Sequence, residues 1–243
     1  MAIAAWKRLE KTPGYQKKKR FLKRLAGKEL RLKNDIEIPV IKDGGWWFTP
    51  EDLNAGSIVY SLGVGDDIDF DLSVIEKYGV KVHAFDPTPS AIDMLNERDL
   101  PQRFEFHPWA VTASDGSLTF YPRLRKDGTK SDVMYTMIAE EETIDDAIEV
   151  PAYSLSTISE KLGHEQIDLL KMDIEGAEYE VLDGLLSSSI KPTQLLVEFH
   201  HRFSGIGLQQ TADIIERLRN AGYKIFAISE IGREVSFLRL QSG

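Results

Sequence analysis

The 243-residue sequence contains no cysteine. Disulfides and thiolate metal sites are therefore excluded, and the absence fits a reducing compartment, so a cytoplasmic setting is expected. No apolar run approaches the roughly 20 residues needed to span a bilayer. Residues 1–30 lack the apolar core of a signal peptide. Internal repeats and low-complexity tracts are also missing. With 42% hydrophobic and 28% charged residues, the chain can bury one sizeable core as a soluble α/β protein.

Charge is present but unevenly placed. Residues 7–33 hold twelve Lys or Arg against two Glu, whereas the whole chain is −9, so the remainder carries about −19. Trp6, Leu9, Tyr15, Phe21, Leu22 and Leu25 interrupt the basic run, and Pro13-Gly14 prevents one long helix. Docking on the acidic body of the same chain or of a second subunit is expected to bury Trp6, Phe21 and Leu25. The alternative is a weak, salt-sensitive peripheral contact with anionic lipid. Nucleic acid is not expected as a partner, because no stacking motif accompanies the charge. Residues 1–50 read as this basic helical leader plus an aromatic segment, and residues 51–243 as the main domain.

The most informative stretch is Tyr60-Ser61-Leu62-Gly63-Val64-Gly65-Asp66-Asp67. An apolar strand runs into a Gly-x-Gly turn and then a helix. A second strand, Val80 to Phe85, ends on Asp86, 21 residues after Gly65. In doubly wound α/β sheets, ligands bind at the carboxyl ends of strands. Glycines admit close backbone approach, and an acidic residue at this distance can bind both ribose hydroxyls. The pattern points to an adenosyl-type ligand. A dinucleotide fingerprint would place a third glycine where Ile68 stands. Asp66, Asp67, Asp69 and Asp71 suit a helix N-terminus but would repel a pyrophosphate there. A cationic ligand carrying an amino group fits better.

The second informative stretch is Ile167-Asp168-Leu169-Leu170-Lys171-Met172-Asp173-Ile174-Glu175-Gly176-Ala177-Glu178. It reads as a buried strand with Asp173 at its carboxyl end, then a turn at Gly176 and a helix from Ala177 to Leu186. Elsewhere, Trp46-Trp47-Phe48 reads as a short strand after a Gly-Gly turn. Phe104 onward reads as one strand reaching Trp109-Ala110-Val111, with Asp115-Gly116 as a hairpin turn into Ser117–Tyr121. Residues 122–149 show no clear period and read as a lid or accessory loop. Helices are expected at 89–98, 155–162 and 211–221, and strands at 194–200, 223–229 and 234–240. Alternating strands and helices ending in a hairpin predict a three-layer α/β/α sandwich.

Leu170 to Glu178 with Val181-Leu182 resembles the hallmark of FkbM-type methyltransferases. Tyr60 to Gly65, His83-Ala84-Phe85-Asp86-Pro87-Thr88-Pro89 and Leu196-Val197-Glu198-Phe199-His200 resemble further motifs of that family in the same order. The resemblance covers residues 56–240. It implies a Rossmann-like class I methyltransferase sheet with a C-terminal β-hairpin, S-adenosyl-L-methionine as cofactor, and methyl transfer to a hydroxyl of a small-molecule, glycan or glycolipid-type acceptor. On that basis Gly63, Val64 and Gly65 should pass under the cofactor and Asp86 and Pro87 should flank its ribose. The segment from His107 through Ala110 and Val111 should border the adenine. Many methyltransferases carry an acidic residue just before the first glycine, where Ser61 and Leu62 stand here; Asp66 or Asp67 can substitute.

On the acceptor side a proton must leave the alcohol, and His200 is the candidate base, since imidazole titrates near operating pH. Strand alternation sends His200 and Glu198 to one face and His201 to the other. Asp173 should sit between cofactor and acceptor. Asp173, Glu198 and His200 could alternatively gather a divalent cation, although the resemblance implies no required metal. His83, His107 and His164 read as structural. Two rival readings are an NAD-dependent oxidoreductase and a non-catalytic adenosyl-binding module.

Overall fold

A computed structural model describes residues 12–27, 29–124, 127–136, 141–203 and 205–240. Trp6, Leu9, Arg125, Lys126 and Glu140 lie outside them. The strands are β1 (Ile41–Asp43), β2 (Trp46–Phe48), β3 (Ile58–Leu62), β4 (Lys81–Phe85), β5 (Phe104–His107), β6 (Ala110–Thr112), β7 (Gly116–Leu124), β8 (Lys130–Thr136), β9 (Ile148–Ser154), β10 (Leu169–Met172), β11 (Gln194–Glu198), β12 (Tyr223–Ile228) and β13 (Glu234–Arg239). The helices are α1 (Pro13–Leu25), α2 (Asp69–Tyr78), α3 (Pro89–Asn96), α4 (Leu155–Leu162), α5 (Glu178–Ser187) and α6 (Leu208–Asn220). None of the described helices is long and apolar enough to cross a membrane.

The main sheet has the order β12-β13-β11-β10-β3-β4-β5. Strands β11, β10, β3, β4 and β5 are parallel, and β13 is antiparallel to both β11 and β12. Each central strand is apolar on both faces, as a sheet covered on both sides requires. Tyr60, Leu62, Leu170, Met172, Leu195 and Val197 pack with Ile158, Val181, Leu182, Leu185, Ile214 and Leu218 of the helices on one face. Val59, Val82, Leu169 and Leu196 pack with Trp46, Phe48, Phe70 and Val74 on the other. The expected three-layer α/β/α sandwich is therefore present, with the C-terminal hairpin β12–β13 inserted so that its last strand lies inside its first.

The expected single strand from Phe104 to Val111 is divided. Pro108 has no N–H to donate, and the Trp109 N–H turns back onto the His107 carbonyl at 2.8 Å. Strand β6 then leaves for a second sheet of order β6-β9-β7-β8. Strands β6 and β7 do not form a hairpin with each other: β9 lies between them, with Ala152 facing both Ala110 and Gly116. Residues 122–149, read as a lid or accessory loop, contribute the end of β7, all of β8, a 3-10 turn at Glu141–Asp146 and the start of β9. Among the described residues this sheet has a small core of its own, Ala110, Val150 and Ala152 backed by Leu118, Phe120 and Ile148, while Val111 packs into the main core. So small a core leaves little alternation to read.

The β1–β2 hairpin is tied to the main sheet by Gln194. Its Oε1 accepts from the Thr49 N–H at 3.1 Å and its Nε2 donates to the Thr49 carbonyl at 2.9 Å, with the side chain fully enclosed. Gln194→Leu leaves both backbone groups buried without partners, and the loss should be about 2–4 kcal/mol. A urea titration checks this; a change within measurement error would show that the hairpin is held by its aromatic packing alone.

Candidate active site at the carboxyl edge

The Gly-x-Gly turn is fixed by two neighbouring strands. The Gly63 N–H donates to the Phe85 carbonyl at 2.9 Å, and the Asp173 N–H donates to the Leu62 carbonyl at 3.0 Å. Gly63 has φ +73°, and a Cβ there would collide with the Asp173 carbonyl oxygen. Gly65, at φ +53°, is different: a Cβ there would meet open space. One glycine is required by packing, the other lines a vacant approach.

Asp86 holds this turn in place. Its Oδ2 accepts from the Gly65 N–H at 2.9 Å, and its Oδ1 accepts from the Thr88 N–H at 2.9 Å and the Thr88 hydroxyl at 2.6 Å. Ionised carboxylate oxygens each have two lone pairs, so acceptor capacity for a ligand hydroxyl remains. Pro87 follows, half-buried. Val64 is buried in the core beside Ile68, which plugs the position a third glycine would occupy. Asp66 and Asp67 are exposed at the helix start, where Asp67 Oδ1 accepts from the Asp69 N–H at 2.9 Å. Ala110 and Val111 sit in the hydrophobic interior, Ala110 with Val150 and Ala152, and Val111 in the main core.

An ionic interior lies behind the turn. Asp71 is fully buried. Burial pushes its carboxyl pKa up, opposed by the Lys171 charge and by Ser61. Lys171, itself buried, donates to the Gly63 carbonyl at 3.4 Å and faces the Trp46 ring at 5.3 Å. Neither residue was recognisable as part of the turn's support, since both read as ordinary members of a helix start and a strand.

The acceptor-side candidates converge. His200 Nδ1 donates to Glu178 Oε1 at 2.7 Å. Its Nε2 stands 3.8 Å from Asp173 Oδ1, 3.7 Å from Glu175 Oε2 and 3.8 Å from Glu198 Oε1. Glu178 is fully buried and its Oε1 also accepts from the N–H groups of Ile174, at 3.2 Å, and Gly176, at 3.1 Å. Glu175 is the sole non-glycine residue with positive φ, +52°, among the described residues. Glu198 pairs with Arg233 at 3.1 Å. His201 points the other way, with Nε2 3.6 Å from Glu29. The donor atoms of Asp173, Glu175 and His200 lie within 4.8 Å of one another, an arrangement that suits either an imidazolium or a bound cation at its centre.

Electrostatics follow from this crowding. Burial alone would lower the His200 pKa, but the Glu178 hydrogen bond and the charges of Glu178, Glu175 and Asp173 outweigh it, so the pKa is raised. Burial pushes Asp173 up, and burial reinforced by Asp173 pushes Glu198 up. Glu175 and Glu178 belong to the motif that includes Asp173, yet their contact with His200 was not apparent from spacing.

The remaining histidines form a separate group. His83 Nδ1 and His107 Nε2 are 3.0 Å apart, and His164 Nδ1 meets the Tyr60 hydroxyl at 2.8 Å. Burial lowers all three pKa values, that of His83 to about 3. His107 packs on Phe85 and Trp109, and His83 and His164 pack on Tyr60 and on each other.

The profile of the methyltransferase FkbM domain matches residues 48–225. The chain belongs to the FkbM methyltransferase domain family. It is 24% identical over 202 residues to the 31-O-demethyl-FK506 methyltransferase FkbM of Streptomyces tacrolimicus, covering 72% of this chain and 76% of that one. It is 29% identical over 150 residues to the human probable methyltransferase-like protein 24, covering 60% of this chain and 33% of that one. The chain thus spans about a third of the human and rat relatives it matches. The crystal structure of methyltransferase FkbM from Methylobacillus flagellatus KT aligns with a TM-score of 0.47 at 14% identity, over 76% of this chain and 44% of that one.

Two outcomes follow for the FkbM domain. Gly63→Ala should lose roughly 2–5 kcal/mol, the left-handed penalty plus overpacking, whereas Gly65→Ala should lose only about 1–2 kcal/mol. Equal losses on denaturant titration would mean that the two glycines share one role.

His200 also ties stability to pH. Its folded pKa lies above the unfolded value, so its contribution is fully present below about pH 6.5 and lost as pH rises through the folded pKa. Unfolding free energies of the native chain and His200→Gln should therefore converge at alkaline pH. A difference independent of pH would show that His200 acts by packing.

Proposed function

We propose that the domain is an S-adenosyl-L-methionine-dependent O-methyltransferase acting on a hydroxyl of a small-molecule, glycan or glycolipid-type acceptor. The observation that carries this reading is the double contact of Asp173. Its backbone abuts Gly63 of the turn, while its carboxylate stands 3.8 Å from His200. One residue thus joins a ligand cradle to a group able to hold a proton.

Gly63, Gly65 and Asp86 would hold the adenosyl portion. The open space over Gly65 and the spare acceptor capacity of Asp86 fit a ribose there, and the exposed Asp66 and Asp67 suit a ligand amino group. When bound, the cofactor supplies an electrophilic methyl on a sulfonium sulfur. The chain's own task is to orient a hydroxyl in line with that methyl, exclude water and take the proton. Glu178 fixes the imidazole with Nδ1–H donated inward, so the deprotonated Nε2 faces the acceptor. Proton arrival there yields an imidazolium that Asp173, Glu175 and Glu198 stabilise. The acidic helix start also disfavours the pyrophosphate of a nicotinamide dinucleotide.

Calorimetry with S-adenosylmethionine, S-adenosylhomocysteine and NAD tests the reading. The adenosyl ligands should bind and NAD should not. Asp86→Ala should weaken adenosyl binding by about 1–3 kcal/mol, the range for charge-assisted hydrogen bonds. His200→Ala should retain binding but lower turnover on a hydroxylated acceptor by roughly 10²–10⁴. Binding of NAD alone, or unchanged turnover in His200→Ala, would overturn respectively the cofactor or the base.

A further inference from the structure

Helix α1 presents its apolar side chains to solvent. Phe21, Leu22 and Leu25 are 58%, 55% and 62% exposed. Spaced i, i+1 and i+4, they form one strip along the helix. Lys18 and Lys19 are exposed beside it. The opposite side makes the docking contacts. Arg20 Nη1 donates to the Ser229 carbonyl at 2.9 Å, and Arg24 donates to the carbonyls of Leu30, at 3.0 Å, and Leu32, at 3.3 Å. The expectation that docking buries Phe21 and Leu25 is therefore corrected: the helix docks, but through its arginines.

Lysines flanking an apolar strip on a helix of low overall hydrophobicity match the pattern of a helix lying in a bilayer interface. Its apolar side chains enter the acyl boundary while its ammonium groups meet anionic headgroups. Three side chains on one helix are too small a surface for a standard protein interface. Reversible membrane contact can combine such a strip with the attraction of neighbouring basic residues to anionic lipid.

The anchor of this helix adjoins the strand-end cluster. Ser229 and Gly232, which Arg20 touches, belong to the turn between β12 and β13. Arg233 of the same turn pairs with Glu198 at 3.1 Å, and its carbonyl accepts from the Phe199 N–H at 3.0 Å. Phe203, 42% exposed, packs on the His200 ring with centroids 4.8 Å apart.

We infer that α1 seats the chain on an anionic bilayer with the His200 edge toward the headgroups, and that the acceptor hydroxyl is borne by a lipid. The identity of the acceptor rests on the methyl transfer proposed above; the membrane seat does not.

The full chain is tested by cosedimentation with phosphatidylcholine vesicles with and without phosphatidylglycerol. Binding should require the anionic lipid and reverse at high salt. The triple variant Phe21→Ser, Leu22→Ser, Leu25→Ser should lose at least about tenfold in affinity with an unchanged melting temperature. Because the sequence lacks cysteine, Phe203→Cys and Glu165→Cys each accept a single nitroxide. The label at 203 should contact lipid, and the label at 165, on the loop before the amino end of β10, should remain in water. Absence of vesicle binding, binding indifferent to the triple variant, or a dimer that the triple variant abolishes while vesicles are ignored would overturn the seat. A lipid-exposed label at 165, or two labels in water on bound vesicles, would overturn the orientation and with it the lipid-borne acceptor. None of these readouts involves turnover, so a failed methyl transfer leaves them interpretable.

Discussion

The contact between Gly63 and the Asp173 carbonyl is the constraint on which the carboxyl edge depends. Three parallel strands end at this point, because the Gly63 N–H is committed to β4 and the Asp173 N–H to β3. No side chain fits between them. The turn over β3 and the loop after β10 are therefore packed backbone against backbone. The ligand-facing groups of one and the carboxylate of the other are set by this backbone contact, which Lys171 reinforces by donating to the Gly63 carbonyl at 3.4 Å. Packed backbone is stiffer than a hydrogen-bonded side-chain network, which suits a site that must align reacting groups.

Around that junction, charge is distributed with little slack. Lys171 and Asp71 occupy the interior behind the turn, and burial has already raised the Asp71 pKa. On the outer side, His200 is surrounded by four carboxylates, and Glu178, Glu175 and Asp173 raise its pKa. Carboxylates so close to one another favour whichever positive species stands among them. An imidazolium is one such species, so His200 holds a proton more tightly than a free imidazole.

The parallel sheet was legible because its strands are short continuous apolar runs, each ending on a distinctive residue. Asp86 and Asp173 could be placed at the carboxyl edge by strand direction alone. The small sheet was not legible in the same way. Strands with few buried positions lack strong alternation, and β9 intrudes between β6 and β7 from some 35 residues away in the sequence, a pairing that no local pattern encodes. At the site, His200 was identifiable as a histidine after a buried strand. Glu178 was hidden because an acidic residue at the start of a helix has a sufficient local explanation in the helix dipole. Only tertiary contact reveals that its carboxylate turns inward to the imidazole.

The basic leader shows the same limit from the opposite direction. Its apolar residues suggested an inward face, but burial depends on what lies opposite. The chain from Leu30 to Ile36 runs along β12, where the N–H groups of Asp35 and Ile36 reach the Ile225 carbonyl and Asp35 bonds Arg219 and the Ile225 N–H. That segment caps the β12 edge at Ile225, where it satisfies both backbone groups. What it leaves available beside α1 are backbone carbonyls at Ser229, Leu30 and Leu32, and carbonyls are satisfied by donors. Arginine, with five N–H groups on a planar fork, meets several of them at once. Once Arg20 and Arg24 turn inward, helical geometry turns Phe21, Leu22 and Leu25 outward, roughly 100° per residue around the axis. The exposure of the apolar strip is therefore a consequence of which groups the body offers for docking, and the sequence pattern of the helix cannot be interpreted without them.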